Sequence, residues 1–214
     1  MNRDVVANNI AMGYELFHRS IYALYLKKAT DGKTDAFTVT TFAREALAMS
    51  NRFYDSGLRH INDYVAVSTN GVSEDAVNRV NGLREILINK LDALTTDSIR
   101  YYQSKLRNGA LFGQKAGFTD REFDYRVKDA RGRSLDPINY VTGLVRSFAT
   151  DTYFVSAVDL LATNGFNAKI VYPDPNHKNN GLVFDPTDNE QVKVFAQLFH
   201  PYSQATVVAN VIHS

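Results

Sequence analysis

Ala168-Lys169-Ile170-Val171-Tyr172-Pro173-Asp174-Pro175-Asn176-His177-Lys178-Asn179-Asn180-Gly181-Leu182-Val183-Phe184 is where the chain changes its hydrophobic period. Two short apolar runs, Ala168 to Tyr172 and Gly181 to Phe184, flank two prolines, an acid, a histidine and a closing glycine. Proline fixes φ and removes a donor, and glycine reaches left-handed φ, so this pattern predicts a β-hairpin with a structured tip. Ala205 to Ile212 is rich in β-branched residues and predicts a third strand pairing with the hairpin. Between them Thr187-Asp188-Asn189-Glu190 has capping-box spacing and opens a helix carrying Val194, Phe195 and Leu198, which His200-Pro201 stops.

Upstream the period is helical. Asp136-Pro137 starts a helix with a capping acid and a first-turn proline. Val141, Val145, Phe148, Thr152, Val155 and Val158 line its inner face, and Asn164-Gly165 ends it. Thr119 and Glu122 form another capping box and predict a short helix to about Ala130, followed by a turn over Arg131 to Ser134. Asn108 to Phe118 holds three glycines and predicts a linker.

The first half predicts three long helices. One runs from Val5 to Lys28, stopped by Asp31-Gly32; the second restarts at Thr41 as cap, with a break or kink at Gly57. The third follows the Asn70-Gly71 turn and Ser73, bends at Thr95-Thr96-Asp97 and closes at Asn108-Gly109. The fold class expected is α+β: long N-terminal helices in a bundle or extended array, then a small C-terminal module of helices on a short antiparallel sheet. The expected divisions are 1–108 helical, 109–118 linker and 119–214 for the module.

With 214 residues, 44% apolar and 22% charged, the chain can bury a sizeable core. It has no cysteine, which excludes disulfides, thiolate metal sites and cysteine nucleophiles. Met1 to Ala11 lacks the basic start and apolar run of a signal peptide, and no apolar run reaches the roughly 20 residues that span a bilayer. A membrane partner is not expected.

The net charge of +1 is unevenly spread. Arg100, Lys105, Arg107, Lys115, Arg121, Arg126, Lys128, Arg131 and Arg133 give the segment 100–133 a local surplus of +5 over its four acids. Such a segment suits an anionic partner, nucleic acid or an acidic protein surface, or else forms a solvated face. Tyr101, Tyr102 and Tyr125 interleave with it and could stack on bases, although aromatic residues at helical spacing usually belong to a core.

Asp174, His177 and His200 have metal-ligand side chains and are expected to come near one another once the hairpin and its following helix fold. The competing reading has His200 at a helix C-terminus and the other two bracing the loop backbone. Arg146 lies near the apolar face of its helix and either stands at the surface or reaches a hairpin carboxylate such as Asp174, a pair that would hold helix to sheet. Gly109, Gly113 and Gly117 lack the preceding strand and following Lys-Ser/Thr of a phosphate loop. No catalytic residue and no cofactor is assigned, and His18, His60 and His213 receive no role.

From Asp129 onward a particular order is present: Asp129 and Gly132, a helix with Tyr140 and Arg146-Ser147, and an end at Asn164-Gly165. A strand, the Asp174/His177 loop, Gly181 to Phe184, and His200-Pro201 before a β-branched strand complete it. This order resembles the minor head protein family of tailed bacteriophages, the group related to the Mu F protein and the SPP1 minor capsid protein, over about residues 129–208. The family places cysteines in the loop matching Pro173 to Gly181 and after the position of Pro201; here Asp174, His177 and Asn180, and then Tyr202 to Gln204, stand instead. Any metal binding or cross-linking by those cysteines is missing or rebuilt in this chain. The resemblance implies a non-enzymatic structural virion protein, assembled in the host cytoplasm and associated with the portal vertex, capsid proteins and DNA within a multi-chain assembly. The alternatives are a nucleic-acid-binding helical module using 100–133 and a metal-dependent hydrolase on Asp174, His177 and His200.

Overall fold

The computed structural model describes residues 3–30, 35–112, 125–129 and 131–211. Three long helices come first: α1 (Arg3–Thr30), α2 (Ala36–Ser68) and α3 (Glu74–Phe112). The two-residue strands β1 (Val127–Lys128) and β2 (Ser134–Leu135) pair antiparallel. Then follow α4 (Pro137–Thr163), β3 (Ala168–Val171), β4 (Val183–Phe184), α5 (Asn189–Ala196) and β5 (Thr206–Ala209). The second sheet is antiparallel in the order β4-β3-β5. The α+β class and the third strand paired with the hairpin are as expected.

Packing divides the chain into two compact units, Met1–Ala7, Ile61–Leu87 and Gly143–Ser214 forming one, Asn8–His60 and Ile88–Thr142 the other. In the first unit β3 alternates, turning Ala168 and Ile170 inward against Phe154, Val158, Phe184, Phe199 and Val207. Pleating alone produces this period of two. The Tyr153 hydroxyl receives the Val207 amide at 2.9 Å, tying α4 to β5. Asp159 accepts the Ser73 amide at 2.7 Å and its hydroxyl at 2.6 Å, and the Ser73 oxygen in turn caps α3 at the Ala76 amide. In the second unit α1, α2 and α3 each bury a large ring, Tyr14, Phe42 and Tyr102 respectively.

Several boundaries differ from the sequence expectation. Helix α2 starts at Ala36 rather than after Thr41, because the Asp35 carboxylate caps the Thr38 amide at 2.7 Å and Thr38 and Val39 are buried. It passes through Gly57 without a break, its Phe53 and Ile61 sides held by packing. Helix α3 likewise runs through Thr95-Thr96-Asp97, where the Thr95 hydroxyl bonds back to the Leu91 carbonyl, and past Asn108-Gly109 to Phe112. Residues 109–112 of the expected linker are therefore helical. Its remainder, 113–118, the capping box at 119–122 and the Asp31-Gly32 stop lie outside the described residues.

Val127 and Lys128 are strand, not the expected short helix. Asp129 accepts the amides of Arg131 and Arg133 across a Gly132 turn (φ +74°), which closes a hairpin instead. Helix α5 is capped by Asp188, one residue after the expected Thr187; its carboxylate takes the Glu190 and Gln191 amides while Thr187 folds onto Asp185.

The end of α4 is a Schellman turn, with Phe166 N–H donating to the Leu161 carbonyl at 3.0 Å and Gly165 N–H to Ala162 at 3.1 Å. Gly165 sits at φ +71° with open space where a Cβ would be, so backbone strain alone opposes a side chain there. Gly143, within α4 and equally uncrowded, has no positive φ. Chemical denaturation should accordingly show Gly165→Ala destabilised by about 1 kcal/mol and Gly143→Ala unchanged or stabilised by up to about 1 kcal/mol.

Candidate functional site

The loop between β3 and β4 spends its polar groups on its own backbone. Asp174 accepts the Asn176 amide at 2.9 Å, and its carbonyl takes the His177 amide. Imidazole Nδ1 of His177 accepts the Asn179 amide at 3.2 Å, and the ring stacks on Tyr172 with centroids 3.7 Å apart. Asn180 accepts the Tyr172 amide and donates to the Pro175 carbonyl, and Gly181 (φ +82°) returns the chain to Ile170. His200 lies outside this loop, exposed, with Nδ1 accepting the Tyr202 amide at 3.3 Å. Among the described residues no three His, Asp or Glu side chains gather as metal ligands. The hydrolase expectation is left without a ligand set.

Arg146 does not meet a hairpin carboxylate. Its Nε lies 3.6 Å from Asp4 Oδ1 on α1, and its guanidinium covers the Tyr202 ring at 5.0 Å. Asp174 is occupied within its loop, so the structural pair expected for Arg146 is replaced by one from the first turn of α1. Asp4 and Tyr202 were not legible as partners, since no spacing rule links positions 4, 146 and 202.

The basic segment resolves into separate surroundings. Arg100 pairs with Asp97 at 3.7 Å, Arg126 with Asp136 at 3.4 Å, and Arg133 with Asp129 at 2.6 Å, all at the surface, where such pairs contribute little. Lys105 covers the Tyr101 ring at 4.9 Å. Arg107, Lys128 and Arg131 are exposed, and Lys115 and Arg121 lie outside the described residues. The Asp129 carboxyl is held below the usual carboxylate range, chiefly by the Arg133 amide.

Tyr102 and Tyr125 do not face outward. Both are buried around His18, their ring centroids 5.9 and 5.8 Å from the imidazole, with Tyr14 at 6.0 Å. These tyrosines form core, which takes two of the three rings away from base stacking. A lone histidine on an apolar face carries no sequence signal, so the place of His18 emerges only from the packing.

The fold is α+β, and Asp174, His177 and Asn180 of the β3–β4 loop hydrogen-bond to backbone groups of that loop. No protein-family model matches the chain, and neither a curated protein nor a solved structure is similar to it.

Burial pulls the His18 imidazole down to about 4, only partly opposed by the Asp136 charge. Between that value and the ordinary 6.5 the unfolded chain binds a proton that the folded chain refuses. His18 therefore contributes its full stability above about pH 6.5, loses it as pH falls, and levels off below about pH 4. Urea unfolding should lose about 3 kcal/mol from this residue over that window, and His18→Phe should flatten that part of the profile.

Proposed function

We propose that this chain is a structural virion protein of a tailed bacteriophage, a minor head component that acts at the portal vertex or head interior in assembly or genome delivery. The observation that supports it is the placement of the residues on which the resemblance rests. Asp129 and Gly132 build a hairpin turn, Gly165 closes α4, and Asp174, His177 and Gly181 shape one loop. Each serves a turn or a helix end, the work of a building block. Met12, Leu16, Phe37 and Leu47 are exposed on α1 and α2, and their apolar area suits burial against portal or capsid copies. Quantitative mass spectrometry of purified particles is expected to find the chain at low copy number; its absence from intact virions would overturn the reading.

A second reading, DNA contact through the β1-β2 hairpin, is favoured by the exposure of Lys128, Arg131 and Arg133 around one tight turn. Affinity for duplex DNA should then fall with salt at a log–log slope of about 0.9 per phosphate neutralised. Replacing Lys128 and Arg131 by glutamine should lower that slope by about 2. Salt-independent binding rules the contact out.

A further inference from the structure

The first unit holds a cavity of about 610 Å3 lined by Arg3, Asp4, Arg146, Thr150, Tyr202 and Ser203, among others. Its donors outnumber its acceptors. Arg3 spends Nη2 on the Ala205 carbonyl at 3.3 Å and lies over the Tyr153 ring at 4.8 Å, but its Nη1 is buried without a hydrogen bond. Arg146 Nε is also buried without one, because Asp4 Oδ1 at 3.6 Å is too far to accept. Ser203 already accepts the Ala205 amide at 3.2 Å, which leaves its hydroxyl proton to be given.

A buried guanidinium N–H with no acceptor is costly, and two beside one cavity are an arrangement that a ligand would complete. The ligand must be anionic and accept from several directions. Asp4 offers one negative charge to two guanidinium groups, and its side chain is 68% exposed, so the local surplus is positive. We infer that this cavity binds a phosphate group, with Arg3 Nη1, Arg146 Nε and the Ser203 hydroxyl donating to its oxygens. The volume exceeds that of the anion alone, and Tyr202, Pro173 and Pro201 supply the wall for the organic part of a monoester. This inference goes beyond the virion reading: it rests on the unpartnered nitrogens of Arg3 and Arg146 and stands or falls without the resemblance, although Arg146 and Pro201 belong to both.

Isothermal titration calorimetry on the full chain, at matched ionic strength, would use inorganic phosphate, deoxyadenosine monophosphate and deoxyadenosine as probes. Saturable binding of both phosphate compounds and none of the nucleoside is expected. A tighter ester identifies a monoester as the natural source, equal affinities identify the free anion, and both uphold the site. Arg3→Gln or Arg146→Gln should weaken binding at least about tenfold, the loss of one charge-assisted hydrogen bond. Gln204→Glu, at an exposed position on the rim, should weaken it several-fold without lowering the unfolding midpoint. No saturable binding of either phosphate compound, nucleoside binding of equal strength, or wild-type affinity in both Arg3→Gln and Gln204→Glu overturns the assignment.

Discussion

A buried tyrosine must settle its hydroxyl, and the second unit is arranged around one that does. Tyr14 is fully buried, and its hydroxyl lies 3.0 Å from Ser98 Oγ, 84 residues away on α3. Ser98 gives its own proton to the Leu94 carbonyl at 2.9 Å, so Tyr14 must be the donor. One bond thereby sets the register of α1 against α3, because sliding either helix by a turn would strand a buried polar group. The ring itself stands edge-on to Phe53 of α2 at 5.6 Å, bringing the second helix to the same point. Burial raises the phenol far above its usual range, which favours the protonated form that donates this bond.

The first unit meets the same requirement with other groups. Tyr64 donates to the Ala149 carbonyl at 2.7 Å, and its phenol is pushed up to about 12 by burial. Asp159 secures Ser73, and Tyr153 receives β5. Arg3 Nη1 and Arg146 Nε, like the hydroxyls of Thr152 and Ser156 in this unit, are buried without a hydrogen bond, and of these only the two guanidinium nitrogens carry charge.

The helical period, the Asp136-Pro137 start, the Asn164-Gly165 stop and the three strands of the β3 sheet were legible because each is written in adjacent residues. What was not legible depends on distance along the chain. Whether Gly57 kinks a helix is decided by the packing of Phe53 and Ile61, not by glycine itself. Val127 joins a strand because Asp129 and Arg133 close a turn, which outweighs the helical signal upstream. The candidate site suffered most. Asp174 and His177 stand close enough in sequence to be read together, but their bonds run to the backbone, and Arg146 has its carboxylate neighbour in Asp4, far along the chain.

The bond from Arg3 to Ala205 spans 202 positions and has a temporal meaning. At a synthesis rate of roughly 5–20 residues per second, the side chain of residue 3 waits about 10–40 s before its acceptor is made. Through that interval the first turn of α1 lacks its seat, whereas Tyr14 can find Ser98 in about half the time. Birth order on the ribosome therefore favours the Tyr14 core ahead of the arginine cavity, whose wall from Pro201 to Gln204 and whose Ala205 acceptor come late in synthesis.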